Sequence, residues 1–151
     1  LMQQAEPLAI ADGLQAIKVV RGRAAEWGIE PERIGILGFS SGGVVAIGAA
    51  MQYDEESHPN FAAPIYVAPS GTVVAVPTDA PPLFLLAASD DPMAVGTSLA
   101  LYSAWKDAGR PAELHLYTQG GHGFAMKKQG LPTDHWIERF SDWLQSQGFL
   151  A

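Results

Sequence analysis

The pentapeptide Gly38-Phe39-Ser40-Ser41-Gly42 is the first segment of the chain whose residues could form part of a catalytic site. It matches the pattern Gly-x-Ser-x-Gly, in which a serine occupies a strained turn between a strand and a helix and presents its hydroxyl at the edge of a sheet. An apolar run precedes it and small apolar residues follow it. We therefore predict Ser40 as a nucleophile, with Gly38 and Gly42 needed because side chains there would collide with the neighbouring helix and strand. The alternative is a Gly/Ser-rich turn without chemistry, or a phosphate-binding turn, although no lysine stands nearby to complete a phosphate loop.

A serine hydroxyl is a poor nucleophile at neutral pH, so Ser40 needs a histidine base and a carboxylate that orients it. Of the four histidines, only His122 has glycines on both sides that would let a loop carry its imidazole to the serine. His58, His115 and His135 are predicted to be structural or solvated. Asp90 and Asp91 both follow an apolar run directly, and the residues alone leave open which of them orients the histidine.

The elements that must position these residues follow from the spacing of apolar side chains and from turn residues. Strands are predicted over 34–39, 63–68, 83–88 and 112–117, and helices over 8–27, 44–51, 97–109 and 133–147. The segment 69–82 is predicted to be mainly loop, with a short extended piece at 73–76. Strands that alternate with helices predict a single α/β domain over residues 1–151 with a mostly parallel sheet. Ligands bind such sheets at the carboxyl ends of the strands, where Ser40, the pair Asp90 and Asp91, and His122 all stand.

Composition excludes several classes of function. The chain has 151 residues, no cysteine and a net charge of −7, and 48% of its residues are hydrophobic. Disorder is excluded by this apolar content, and thiolate chemistry and disulfides by the absence of cysteine. We expect no nucleic-acid or membrane partner, because an acidic surface repels phosphates and no apolar run approaches the ~18–20 residues that span a bilayer.

In its motifs and their order the chain resembles the C-terminal part of α/β-hydrolase esterases. The group includes acetylxylan-esterase-like and feruloyl-esterase-like carbohydrate esterases, with dienelactone hydrolases and prolyl-oligopeptidase-type peptidases as more distant relatives. The order Ser, Asp, His is that of α/β hydrolases. The matching segments are residues 12–20, 25–34, 38–43, Asp91-Pro92, Ala108-Gly109, 113–117 and 121–124.

This resemblance implies Ser40 as nucleophile, His122 as general base and Asp91, which precedes a proline, as the orienting acid in preference to Asp90. It implies that the Ser41 backbone N–H is one oxyanion donor, with Phe39 as its neighbour in a substrate-binding role. No metal or organic cofactor is implied. The expected function is a serine carboxylesterase that hydrolyses short-chain acyl esters, such as acetyl esters of carbohydrates, through an acyl-enzyme. The alternatives are a peptidase or amidase of the prolyl-oligopeptidase type, and a catalytically feeble fragment that acts in assembly.

The chain departs from the family before Ser40. One helix precedes the predicted elbow strand, and no His-Gly-Gly segment stands upstream to supply a second oxyanion N–H. We therefore expect a fold truncated on its N-terminal side, whose exposed sheet edge is covered by a homo-oligomer or by a missing N-terminal segment. Residues 1–4 do not resemble a secretory signal, which favours a cytoplasmic location.

Overall fold

The computed structural model describes residues 2–70 and 75–150, and residues 73 and 74 of the extended piece predicted at 73–76 lie outside them. Four parallel strands form one sheet in the order β1-β2-β3-β4. They are β1 (Ile36–Phe39), β2 (Ala62–Ile65), β3 (Leu83–Ala88) and β4 (Ala112–Tyr117). The register pairs Ile36 with Ala62 and Phe39 with Ile65, so β1 and β2 end level, while β3 continues two residues past Leu86, the partner of Ile65. The prediction of a parallel α/β sheet is confirmed.

Helices cover both faces of this sheet. They are α1 (Met2–Gly22), α2 (Ala24–Trp27), α3 (Ser41–Met51), α4 (Val95–Asp107) and α5 (Trp136–Ser146), and a 3-10 turn at Pro132–His135 precedes α5. Helices α3 and α4 pack on one face with α1 against α3, while α5 packs on the other face. None of the helices described is long and apolar enough to cross a membrane.

Strand β3 shows why its sequence is apolar without alternation. Leu83 and Leu85 face the cluster beneath α3 and α4, whereas Phe84 and Leu86 face the aromatic cluster beneath α5, and all four are fully buried. A strand covered on both faces needs apolar residues at every position. The aromatic residues Trp136, Phe140 and Trp143 of α5 are buried in that second cluster.

The N-terminal helix departs from its prediction as one continuous helix over 8–27. It begins at Met2, includes Pro7 in its second turn and ends at Gly22, and the short α2 follows after Arg23. The break turns Trp27 away from the buried stripe. Its side chain is 46% exposed, and the Arg23 guanidinium lies over its ring at 5.6 Å. Gly28, with φ of 66°, ends α2 at the predicted residue.

The sheet has one incompletely covered region, at β1. Within the described residues β1 pairs only with β2, so its outer edge carries no strand. Leu37 and Phe39 project from β1 on the face that carries α5, and each is 37% exposed. This region corresponds to the exposed edge expected from the sequence.

Candidate active site

Ser40 occupies a strained turn between β1 and α3. Its φ of 53° and ψ of −115° lie in a region that non-glycine residues rarely adopt. The turn is fixed on both sides, because the Ser40 N–H donates to the Ile65 carbonyl at 3.0 Å and the Ser40 carbonyl accepts from the Gly43 N–H at 2.9 Å. Strain of this kind costs about 1–3 kcal/mol and is typical of functional sites.

The glycines around Ser40 differ in how much space a side chain would have at each position. A Cβ added to Gly38 would collide with the carbonyl of Gly42, so helix α3 can follow β1 this closely only if residue 38 is glycine. A Cβ on Gly42 would meet nothing within 4 Å, so the predicted steric need at Gly42 is wrong. The tight second position is Gly43, where a Cβ would approach Val67 at 3.1 Å. Gly43 packs against the segment after β2, which the motif alone does not reveal.

A chain of hydrogen bonds joins three of the residues singled out from the sequence. The Ser40 Oγ lies 2.7 Å from His122 Nε2, and His122 Nδ1 lies 2.7 Å from Asp91 Oδ2. The Asp91 side chain is fully buried, whereas the His122 side chain is 29% exposed. Because the carboxylate accepts at Nδ1, it favours the tautomer whose Nε2 lone pair faces the serine hydroxyl. The arrangement can transfer the serine proton to the imidazole.

The two adjacent aspartates have different contacts. The other oxygen of Asp91, Oδ1, accepts the backbone N–H groups of Met93 and Ala94 at 3.0 and 3.3 Å, so this buried carboxylate has partners on both oxygens. Asp90 does not contact the imidazole but accepts the N–H groups of Gly121 at 2.9 Å and Gly120 at 3.3 Å. The geometry therefore brings Asp91 to the side chain of His122 and Asp90 to the backbone just before it.

Tyr66 is a neighbour of His122 that the sequence analysis did not identify. It follows β2, is 3% exposed and has a φ of 35°. Its ring meets His122 edge-on with 5.1 Å between centroids, and meets Phe124 in the same way at 4.8 Å. Burial raises the pKa of the Tyr66 phenol, an effect that the Ala125 backbone partly opposes. Only its place at the end of a strand could have indicated it, because no motif includes it.

Ser41 and Phe39 flank the serine in different environments. Ser41 is the first residue of α3 and is exposed, so its backbone N–H belongs to the helix N-terminus, where N–H groups have no partner within the helix. Phe39 stacks on Tyr66 with 5.7 Å between centroids and meets Trp136 edge-on at 6.0 Å. It is therefore a packing residue with one exposed side.

An apolar cavity of about 330 Å³ lies beside Ser41 at the N-terminal end of α3. It is lined mainly by small residues from α1, α3 and the segment after β2: Ala5, Glu6, Ala9, Ser41, Gly42, Val44, Val45, Ala68 and Pro69. Glu6 is its one acidic residue and accepts a hydrogen bond from the Ser70 hydroxyl at 2.9 Å. The cavity offers a small apolar volume next to the predicted oxyanion donor.

The remaining histidines lie away from Ser40 in local contacts. His58 packs against Tyr53, His115 bonds Glu113 on β4, and the exposed His135 lies 3.6 Å from Glu138. Across residues 2–70 and 75–150, the structure groups no three His, Asp or Glu residues that could hold a metal ion.

A parallel sheet with helices on both faces and Ser, Asp and His at its carboxyl edge in this chain order defines the class of the protein as the α/β hydrolases. Residues 1–150 match the dienelactone hydrolase family. The chain belongs to that family, and the resemblance noted in the sequence is confirmed.

Similar proteins include esterases. An acetylxylan esterase from Xylanibacter ruminicola is 26% identical over a region that covers 92% of this chain and 36% of that protein. The acetyl ester-xyloside bifunctional hydrolase from Caldicellulosiruptor lactoaceticus has a TM-score of 0.81 and 26% identity, covering 94% of this chain and 66% of that chain. Esterase 2 from Thermogutta terrifontis, in a structure phosphorylated by paraoxon, has a TM-score of 0.77 and 25% identity. The match covers 94% of this chain and 64% of that chain. The chain thus spans just over a third of the acetylxylan esterase and just under two thirds of these two solved chains.

Proposed function

We propose that this protein is a serine carboxylesterase that hydrolyses short-chain acyl esters, with acetyl esters of carbohydrates as the substrate class to test first. The observation that carries the proposal is the continuous hydrogen-bond chain from Ser40 through His122 to Asp91, with 2.7 Å at each step. Relatives described as an acetylxylan esterase and an acetyl ester-xyloside hydrolase support the choice of acyl group.

In the proposed mechanism, His122 Nε2 takes the proton of the Ser40 hydroxyl as Oγ attacks the ester carbonyl carbon. Asp91 holds the imidazolium, and the Ser41 N–H donates to the oxyanion. Collapse of the tetrahedral intermediate breaks the ester C–O bond, and His122 gives its proton to the departing alcohol. Water then loses a proton to His122 and attacks the acyl-enzyme, which releases the acid and returns the proton to Ser40.

We expect a preference for short acyl groups, because the described segments nearest the site form no helical lid. The segment between α3 and β2 contains no helix, and neither do the described residues between β2 and β3, so neither forms a helical lid over a long chain. Turnover of octanoate esters faster than acetate or butyrate esters would contradict this preference.

Ser41 supplies one oxyanion donor, and a second donor is not identified among the described residues. Removal of one donor from an oxyanion hole costs about a hundred- to a thousandfold in rate. We therefore expect slow turnover of this chain compared with enzymes that have two donors, while acylation of Ser40 by a reactive reagent remains fast enough to detect.

The decisive experiment is intact-mass labelling with a fluorophosphonate, a reagent class that tests the nucleophile without assuming a substrate. We expect one adduct on the wild type, none on Ser40→Ala, and slower labelling of His122→Ala. The matched control is Ser103→Ala, which removes an exposed hydroxyl on α4 and should be labelled like the wild type. A folded wild-type protein without an adduct would overturn the proposal in favour of a feeble fragment that acts in assembly.

A peptidase or amidase would use the same three residues, so the same labelled protein should be assayed on matched ester and anilide substrates. We expect ester turnover and no measurable anilide turnover. Faster cleavage of the anilide would replace the esterase proposal with the amidase alternative.

We further propose that a second copy of the chain covers the free edge of β1, where Leu37 and Phe39 are partly exposed. A cytoplasmic location stays a prediction, which fractionation of the source cells would test.

A further inference from the structure

We propose that Asp90 is a positioning residue for the reaction, one that holds the backbone of the His122 loop while Asp91 holds the His122 side chain. This inference rests on the proposed function of the same site. Its starting observation is that Asp90 accepts two consecutive backbone N–H groups, those of Gly120 at 3.3 Å and Gly121 at 2.9 Å, each with a different oxygen.

The backbone conformation of the loop that carries His122 explains why it needs hydrogen bonds to Asp90. Gly121 and Gly123 have φ of 66° and 78°, and Ala125 has φ of 42°, so three residues around the histidine are in left-handed conformations. Glycine keeps this freedom in both signs of φ, which makes a glycine-flanked loop easy to displace. The hydrogen bond from the Gly121 N–H holds the Gly120–Gly121 peptide, one residue before His122.

The position of Asp90 links this loop to the strand that carries Asp91. Asp90 and Asp91 follow β3, and the Asp91 N–H donates to the Ala88 carbonyl at 3.1 Å, so both aspartates belong to one turn at the end of that strand. Asp91, which bonds the imidazole, and Asp90, which anchors the loop, are therefore held by the same turn. The ring of Tyr66 also packs edge-on against His122, with 5.1 Å between centroids.

This placement predicts that the length of the side chain matters more than its charge. Asp90→Asn keeps one acceptor oxygen, for the shorter bond from the Gly121 N–H, and loses the longer bond from the Gly120 N–H, whereas Asp90→Glu keeps both oxygens and the charge but moves the carboxylate by one methylene. With p-nitrophenyl acetate, we expect Asp90→Glu and Asp90→Ala to lower kcat about tenfold with KM little changed, because a misplaced catalytic base slows the chemical step. Asp90→Asn should lower kcat less than Asp90→Glu and Asp90→Ala, because it keeps the acceptor for the Gly121 N–H. Asp107→Ala and Asp107→Asn, at an exposed carboxylate at the end of α4, are the matched controls and should behave like the wild type.

A second measurement does not depend on turnover. The proton shared by His122 Nδ1 and Asp91 should give a downfield proton NMR resonance that is retained in Asp90→Asn and broadened or lost in Asp90→Glu. Wild-type kcat and an unchanged resonance in Asp90→Glu would overturn the proposal. An equal loss of kcat in Asp90→Asn and Asp90→Ala would also overturn it, because the acceptor that Asn keeps for the Gly121 N–H would then have no effect on the reaction.

The two proposals fail separately. If the wild type is neither labelled nor active, the esterase proposal fails, while the resonance still reports whether Asp90 positions His122. If the wild type is labelled and the Asp90 variants match the Asp107 controls in kcat and resonance, the esterase proposal stands and the positioning role of Asp90 is rejected.

Discussion

Gly38 has less free space than any other glycine of the serine turn. A Cβ there would meet the Gly42 carbonyl, which belongs to the first turn of α3 and cannot move without shifting Ser40. We expect Gly38→Ala to lower the free energy of unfolding by about 1–3 kcal/mol, the usual cost of overpacking, and to abolish fluorophosphonate labelling. Urea unfolding and intact-mass labelling would measure the two effects.

Gly42→Ala provides the control for that experiment. A Cβ at residue 42 meets nothing within 4 Å, and alanine favours a helix over glycine by about 1 kcal/mol. We therefore expect the free energy of unfolding to stay the same or rise. If Gly42→Ala were as destabilising as Gly38→Ala, the loss would reflect the loop in general and not the collision at Gly38.

Tyr66 contributes to the site by packing. Its ring contacts Phe39, His122 and Phe124, and it is almost fully buried. Truncation of a large buried aromatic residue to alanine costs about 3–5 kcal/mol, so Tyr66→Ala should lower the free energy of unfolding by that amount and reduce kcat as well. Tyr66→Phe keeps the ring and should retain the wild-type free energy of unfolding and kcat. Equal losses in the two variants would show that the phenol oxygen, and not the ring, is responsible.

At the level of elements, the sequence predicts strands best where an apolar run has sharp ends. The predicted bounds of β3 and β4 are those of the structure, because prolines precede both runs and polar residues follow them. Strand β2 ends at Ile65 and not at Ala68, because the φ of 35° at Tyr66 turns the chain out of the sheet. Strand β1 starts two residues later than predicted, since the backbone of Ile34 bonds Asn60 and not a strand. Such contacts depend on residues far along the chain, which periodicity does not reveal.

In the candidate site, too, some residues are indicated by local sequence signals, whereas others depend on contacts that only the fold reveals. Ser40 and His122 stand in glycine-rich turns after apolar runs, and this local signal is enough to predict both as site residues. The choice between Asp90 and Asp91 is different, because both occupy the same turn and only the path of the His122 loop separates a side-chain contact from a backbone contact. The predicted steric need for glycine at residue 42 is wrong for a related reason. The motif includes it, but its space depends on the position of α1 and of the segment after β2.

The pairing of α1 with the loop before β2 has a testable pH dependence. A hydrogen bond from Lys18 lowers the pKa of Asp54 from 3.8 to about 2. Because the folded state holds the proton more weakly, this contact stabilises the fold above pH ~4 and is lost as the pH falls from about 4 to about 2. We expect Asp54→Asn to lower Tm at pH 6 and to approach the wild type as the pH is reduced through that window.

The control for Asp54 is Asp12→Asn, at an exposed carboxylate on α1. Its difference in Tm from the wild type should not shrink in the same window. Thermal unfolding followed by circular dichroism between pH 2.5 and 6 would compare the three proteins. A difference between wild type and Asp54→Asn that stays constant with pH would show that the Lys18 contact does not contribute to folding.

At the scale of the whole molecule, the free edge of β1 predicts association. Its backbone groups face no strand among the described residues, and Leu37 and Phe39 add apolar surface beside them. An unpaired edge of this kind is a template for another strand. Two copies each carry a net charge of −7, so their repulsion should weaken association at low salt and screening should strengthen it.

Sedimentation velocity at micromolar concentrations tests this expectation. We expect a dimer or larger oligomer whose population grows with salt, and we expect Leu37→Lys to shift it toward monomer, because a lysine on an edge strand opposes pairing with a second edge. Leu99→Lys, at an exposed leucine on α4, is the matched control and should leave association unchanged. A compact, stable monomer of 16.0 kDa over the whole concentration range would reject association through β1. An oligomer that responds equally to Leu37→Lys and Leu99→Lys would reject it as well, since the contact would then not be specific to the strand edge.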